Sequence, residues 1–331
     1  GYVCLAANRH RILWMSAGGH RQLVPQKLPM NERCVFDLAS LTKPIVTATL
    51  IMRAIEKGVL HEEDRITSIL PEARLLGSVT ISDLLVHRSG LPSWLPLYKS
   101  ASSKEEMFAR LFQVRPESEP RKSEVYSDLG YMILGAAVER LFLGELNHLS
   151  HEMIFSRLGM SETCYLPSLE LAARAATTEF SEDGSPLVGI VHDENARAMG
   201  GISGHAGLFG TAMDLLAFAQ MMFDFGKHNG VKLLEEHSAL LMTSNMNESV
   251  GGHYGYGWVT RKPDSIFPDN CSPESFGHTG FTGTCIEIDR KNEAICILLT
   301  NAVHPKRREK SINEYRRRLF ELAIELSKRA H

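Results

Sequence analysis

Strand-like runs stand near the two ends of this 331-residue chain, with a mainly helical stretch between them. Tyr2–Ala7 and Arg11–Ala17 carry the pattern of strands and are joined by a polar turn around Asn8-Arg9-His10. Far along the chain the period switches back. Gly257–Thr260, Gly283–Ile288 and Ala294–Thr300 read as strands, the last two joined across Asp289-Arg290-Lys291-Asn292. This arrangement predicts an α/β (α+β) protein whose two termini build one mostly antiparallel sheet flanked by helices. Residues 1–60 and 250–331 would supply the sheet domain, and residues 61–249 an inserted, mainly helical subdomain. An active site is expected between them.

The helical patterns refine that outline. Residues 41–57 form a long apolar helix pattern closed by Gly58, a favoured residue just past a helix end. Pro44 restricts where this helix begins, because proline is accepted only in a first turn. Ser40 is thereby placed at the mouth of a helix. Thr80 with Asp83 reads as a cap before Leu84-Leu85-Val86, and Gly90-Leu91-Pro92 ends that segment. Ser127–Arg140 and Asp214–Phe225 read as further helices. A final helix is expected from Ser311, with Glu314 completing a capping box and Ile312, Tyr315, Leu319, Leu322, Ala323 and Leu326 on its apolar face.

Composition matters mainly for what it excludes. The chain carries 36 Lys and Arg against 39 Asp and Glu, a formal net charge of -3, which argues against nucleic acid as a partner. No apolar run approaches the roughly 20 residues that a membrane-spanning helix needs. The 6 cysteines form no C-x-x-C pair, so a zinc ribbon or thioredoxin-like motif is not indicated, and free thiols are expected for Cys285 and Cys296. Dispersed thiols lean towards a reducing compartment. The chain opens on strand-like residues without a leader pattern and reads as trimmed, so the compartment stays open between cytoplasm and cell envelope. Oligomeric state is equally open.

Three short stretches carry chemistry. Ala39-Ser40-Leu41-Thr42-Lys43-Pro44 holds an S-x-x-K at the expected helix start. A three-residue step sets both side chains on one helix face, where a lysine can take or relay the proton of an otherwise poor serine nucleophile. The helix N-terminus adds a favourable field for a developing oxyanion. Tyr126-Ser127-Asp128 comes just before a helix; a phenol beside a lysine can have its pKa lowered enough for acid–base work, while Ser127 or Asp128 can equally be a plain cap. His278-Thr279-Gly280-Phe281-Thr282-Gly283, read as entering a strand, offers glycines that let a substrate approach a strand edge.

In this order and spacing the three stretches resemble the serine β-lactamase and penicillin-binding-protein superfamily, within it the class C β-lactamase-like branch. Phe36-Asp37-Leu38-Ala39, Leu84-Leu85-Val86-His87-Arg88-Ser89-Gly90-Leu91-Pro92 and Gly204-His205-Ala206-Gly207-Leu208-Phe209 support the resemblance, which covers nearly the whole chain. It implies Ser40 as acylated nucleophile, Lys43 as its proton partner, and Tyr126 as general base and then general acid. It also implies an oxyanion hole from the backbone N–H groups of Ser40 and Phe281, with His278 in the catalytic group. Which of Lys43 and Tyr126 holds the mobile proton is left open. A helix usually precedes the first strand in this family, so the chain reads as starting late.

Two departures bear on substrate. Asp128 stands where class C β-lactamases carry asparagine, and His278 where they carry lysine, so a permanent cation becomes a partial one near pH 7. Both weaken the case for β-lactams or D-Ala-D-Ala peptides and suit the amidases and esterases of the branch. His192-Asp193-Glu194-Asn195-Ala196 is similar to a segment of muramyl-peptide amidases, so His192, Asp193 and His205 join Asp128, Thr279 and Gly280 as candidate substrate-binding residues. The expected function is a cofactor-independent serine hydrolase acting through an acyl-enzyme. N-acetylmuramyl-L-alanine amides of cell-wall muropeptides come first as substrates, short-chain esters second, and β-lactams or D-Ala-D-Ala peptides third. A catalytically impaired cell-wall peptide binder is the alternative of another class. A zinc site from His192, Asp193, His205 and His278 has suitable ligand types but no recognised spacing. The basic runs Lys306-Arg307-Arg308 and Arg316-Arg317-Arg318 are expected to form a solvated flank of the last helix.

Overall fold

The structure, a computed structural model, describes residues 1–101, 103–307 and 311–330. Its central sheet is antiparallel throughout and is built from both ends of the chain, as the strand pattern predicts. In chain order its strands are β1 Tyr2–Ala7, β2 Ile12–Gly18, β3 Val259–Thr260, β4 Phe276–Thr279, β5 Cys285–Asp289 and β6 Ala294–Thr300. Their spatial order is β3-β4-β5-β6-β1-β2. The seam between the termini is β1 against β6, with Tyr2 opposite Thr300 and Ala7 opposite Ile295. Both strands are nearly continuous apolar runs because each face of the sheet is covered.

One face carries the terminal helix, Asn313–Ala330, which seats Phe320, Ala323 and Ile324 against Ala6, Cys296 and Phe267. The other face packs into the main core, where Val3, Leu5, Ile286 and Leu299 meet the helical part of the chain, including Ala212–Phe223. A small second sheet pairs Phe36–Asp37 with Leu208–Gly210, and Leu208–Gly210 with Cys164–Tyr165. It ties the segment just before Ser40 to the helical part. Among the described residues no helix is long and apolar enough to cross a membrane.

Several local expectations shift. The helix pattern of residues 41–57 is three successive pieces: a tight 3₁₀ turn Ala39–Leu41, a wide π-type turn Lys43–Ala48, and an α-helix Thr49–Glu56. Pro44 sits at the start of the wide turn, where it has no helical N–H to lose. The Thr80–Asp83 capping box forms. The Ser311–Glu314 box is not what opens the last helix; the Ser311 hydroxyl accepts instead from the Asn313 N–H at 3.2 Å. His278 closes a strand rather than entering one, and the turn at residues 280–283 follows it. Cys285 lies opposite Leu298, and Cys296 opposite Glu287, so these two thiols do not face each other directly; both are free and buried.

Candidate active site

Ser40 is held by a strained turn. Its neighbour Ala39 has φ +47°, the left-handed region that costs a non-glycine residue about 1–2 kcal/mol. Asp37 maintains that turn: one carboxylate oxygen accepts the Ala39 N–H at 2.8 Å and the other accepts the His192 N–H at 2.7 Å. Burial pushes the Asp37 pKa up. A single carboxylate therefore fastens the Ala39–Ser40 turn to the loop that carries His192 and Asp193. The π-type turn then directs Lys43 back beneath Ser40.

Lys43 is fully buried, and its ammonium meets Ser40 Oγ at 3.0 Å, the His205 carbonyl at 3.0 Å and Asp128 Oδ1 at 2.7 Å. Two of these contacts are hydrogen bonds, and the Asp128 contact is an ion pair. Burial lowers the Lys43 pKa, while the Asp128 carboxylate opposes that shift. Asp128 is therefore primarily the counterion of Lys43, although one edge of it faces the cleft. It reaches this place because Ser127, not Asp128, caps the helix Asp128–Phe142, its hydroxyl accepting the Gly130 N–H at 3.2 Å.

Tyr126 stands beside this pair, its ring centroid 5.0 Å from Lys43 Nζ and its titration influenced by Ser40 and Asp128. The lysine does not lower its pKa. Burial and then the Asp128 charge push the phenol well above its usual value. His278 also departs from expectation. Burial, followed by the Lys43 charge, pulls its pKa down to about 3, so it is a neutral imidazole and not a partial cation at pH 7. Its Nδ1 lies 2.9 Å from the Thr279 carbonyl, which can only accept, leaving Nε2 as the bare acceptor nitrogen.

Every candidate residue except the buried Lys43 lines one cleft of about 790 Å³. Ser40, Tyr126, Asp128 and His278 line its floor, with Thr279, Gly280 and Phe281 along one side and His192, Asp193 and His205 along another. The last three are already engaged. Asp193 caps the helix Glu194–Ala198 through the Ala196 N–H at 2.7 Å and meets His205 Nε2 at 2.9 Å, and these contacts hold its pKa below the usual carboxylate range despite burial. His192 Nε2 lies 2.6 Å from Glu179 and its ring stacks on Phe281. Among the described residues no group of three or more His, Cys, Asp or Glu side chains is disposed to hold a metal.

Gly280 explains how the far end of the chain meets Ser40. A Cβ at this position would come within 2.6 Å of the Leu38 carbonyl and 2.1 Å of Thr284 Oγ1, so only glycine lets the turn approach. Thr282 and Thr284 complete the seam by donating to the carbonyls of Asp37 and Leu38 at 2.8 and 3.2 Å. The Phe281 side chain stays exposed.

Some contributors escape the motif reading. His87 is buried between the rings of Tyr126, Tyr131 and Tyr254, and its Nδ1 accepts the Ser127 N–H at 3.0 Å, which supports the Tyr126 segment. The solvated-flank expectation needs correcting for Arg307 and Arg316. Arg307 lines the cleft and pairs with Glu179 at 2.6 Å and with Glu194. Arg316 is buried. Arg308 lies outside the described residues.

A serine on a strained turn, a buried lysine beneath it and a tyrosine alongside form the arrangement of serine hydrolases of the S-x-x-K kind. The chain belongs to the beta-lactamase family, whose model matches residues 1–319. It is 30% identical over 316 residues to a putative D-alanyl-D-alanine carboxypeptidase of Escherichia coli (strain K12), covering 85% of this chain and 72% of that protein. It is 29% identical to an N-acetylmuramyl-L-alanine amidase of Bacillus subtilis (strain 168), covering 92% and 77%. Among solved structures, the hydrolase EstCE1 superposes with TM-score 0.77 at 22% identity, covering 98% of this chain and 93% of that one. A class C β-lactamase from Rhodobacter sphaeroides superposes with TM-score 0.75 at 17% identity, covering 100% and 94%.

Proposed function

We propose that this serine hydrolase cleaves the amide between an N-acetylmuramyl lactyl group and L-alanine in cell-wall muropeptides. The observation that carries this reading is that, among the described residues, each cationic side chain at the cleft is already held by groups of the protein. Lys43 is paired with Asp128, Arg307 with Glu179 and Glu194, Arg316 with two backbone carbonyls, and His278 is neutral. A D-Ala-D-Ala peptide or a β-lactam brings a carboxylate close to its scissile bond, and that carboxylate would have to be desolvated without a free partner. The muramyl–alanine amide has no free carboxylate adjacent to it. The similarity to the Bacillus subtilis amidase supports the same choice.

In this reading the neutral form of Lys43 takes the proton of Ser40 Oγ as the oxygen bonds to the lactyl carbonyl carbon. The oxyanion rests on the N–H groups of Ser40 and Phe281. Tyr126, held protonated, gives its proton to the leaving alanine nitrogen as the C–N bond breaks, and is reprotonated from Lys43. Water then cleaves the Ser40 ester, releasing the muramic acid and returning a proton to the serine. Lys43 is assigned as the base because the Tyr126 phenol is pushed the other way.

The test is a mass-spectrometric panel of muropeptides, D-Ala-D-Ala peptides, β-lactams and p-nitrophenyl esters, run with the Ser40→Ala variant alongside. Free peptide with an N-terminal alanine, absent with Ser40→Ala, is the expected outcome. Turnover of esters alone, or release of terminal D-alanine, would refute the substrate assignment. Acylation without release would mark a binder.

A further inference from the structure

The terminal helix reaches back into the cleft through one side chain. Arg316 is 7% exposed, and among the described residues no carboxylate lies within ion-pair distance of it. Arginine is seldom buried unless paired, because desolvating its charge is costly. Here the charge is directed at backbone. Nη2 donates to the Gly280 carbonyl at 2.9 Å and to the Thr284 carbonyl at 3.0 Å, while Nη1 donates to Asn313 Oδ1 at 2.8 Å. The same two residues close the turn themselves: the Gly280 N–H donates to the Thr284 carbonyl at 2.8 Å, and the Gly283 N–H to the Gly280 carbonyl at 3.0 Å. Glu287, one residue along β5 from Ile286, senses the Arg316 charge, but burial pushes its pKa to about 8, so at neutral pH it leaves that charge uncancelled.

The Gly280 carbonyl and the Phe281 N–H belong to one peptide unit, and they point in opposite directions across its plane. A group that holds the carbonyl therefore sets the direction of the N–H, and a cation on the carbonyl polarises the amide so that its N–H is a stronger donor. We propose that Arg316 is a positioning residue for the oxyanion hole, fixing and polarising the Gly280–Phe281 peptide through its carbonyl end. This rests on the reading of the Phe281 N–H as an oxyanion donor in a Ser40 acyl-enzyme mechanism. It gives the last helix a part in the reaction that its distance in sequence from Ser40 conceals.

Paired substrates isolate this contribution. p-Nitrophenyl acetate and its thiono counterpart differ only in the atom that becomes the anion, and sulfur accepts hydrogen bonds weakly. The ratio of their kcat/KM values therefore reads the oxyanion hole. With Arg316→Met the ester kcat/KM should fall about 10–100-fold, mostly in kcat, less than the roughly 10²–10³ that a whole lost donor costs. The thionoester rate should change far less, so the ratio falls at least about tenfold. Arg316→Lys, which keeps the charge but not the two-carbonyl bridge, should lie between, and it serves as the deciding variant if Arg316→Met does not fold. Ser327→Ala removes a different anchor of the same helix, the 2.8 Å bond to the Glu293 carbonyl, and should lower Tm with the ratio unmoved. A ratio within twofold of wild type in the Arg316 variants, whatever happens to Tm, would overturn the proposal and leave Arg316 as a helix anchor. Ester turnover that survives Ser40→Ala would instead show that the underlying mechanism is wrong.

Discussion

Replacing Asp128 with asparagine should move the acidic limb of the pH–rate profile downwards. The carboxylate lies 2.7 Å from Lys43 Nζ, with the lysine side chain fully buried and 18% of the Asp128 side chain exposed. Burial lowers the Lys43 pKa and Asp128 raises it, so removing the charge leaves burial less opposed. An opposite charge at such range shifts a pKa by about 1–3 units. Partial access of cleft water to Asp128 screens the pair, which places the effect near 1–2 units, or about 1.4–2.7 kcal/mol of preference for the charged form. The proposed mechanism needs neutral Lys43, so activity should rise with pH through its pKa, and Asp128→Asn should bring that rise about 1–2 units lower. The assay is kcat/KM for a neutral p-nitrophenyl ester across pH, which reports free-enzyme ionisations. The Asp128 charge also raises Tyr126, so the comparison is repeated in a Tyr126→Phe background, where the shift must persist if Lys43 is its source. A limb that stays in place, or moves up, refutes the assignment of the base and of its counterion.

Three further outcomes follow from the same geometry. Glu287 has a folded pKa raised from 4.5 to about 8, so the fold favours its protonated form, and this group costs stability progressively as pH rises from about 4.5 to 8. Glu287→Gln should therefore stabilise the protein by up to about 3 kcal/mol at pH 7 and flatten urea-melt stability over that window; unchanged pH dependence would contradict the buried-acid reading. For His278 the folded pKa is lowered from 6.5 to about 3, so its neutral form is favoured and its contribution is lost as pH falls from about 6.5 towards 3. Its imidazole carbon shifts in NMR should stay at neutral values down to about pH 4, and a titration near 6 would restore the partial-cation picture. Asp37→Asn replaces one of two accepting oxygens with a donor facing the N–H of Ala39 or His192. We expect a loss of about 2–4 kcal/mol in denaturant melts and a fall in kcat exceeding the rise in KM, and melts within about 0.5 kcal/mol of wild type would contradict the clamp.

How much of this was legible beforehand differs from element to element. Short, nearly continuous apolar runs at Tyr2–Ala7 and Ala294–Thr300 mark strands, and because few strand-like runs lie between, they imply pairing of the termini. Ser40, Lys43 and Tyr126 were visible because a three-residue step and a residue just ahead of a helix cap are local geometry. Arg316 carries a weaker signal: it falls on the same helix face as Phe320, Ala323 and Ser327, spaced by four, seven and eleven, but it also sits in the charged run Arg316-Arg317-Arg318, which masks that periodicity. Asp37 and His87 appeared only as parts of supporting stretches, since the backbone N–H groups they accept belong to residues brought near by folding.

What the amino-acid order alone determined is therefore what depends on neighbours a few residues apart: strands, caps, and the Ser40 turn with its lysine. What only the tertiary structure decided is the protonation of the site. Asp128 becomes a counterion, His278 loses its charge and Tyr126 keeps its proton, because each shift is set by burial and by charges that long-range packing brings together. Side-chain identity names the group that can titrate, but the dielectric and the partners that move its pKa are properties of the folded interior.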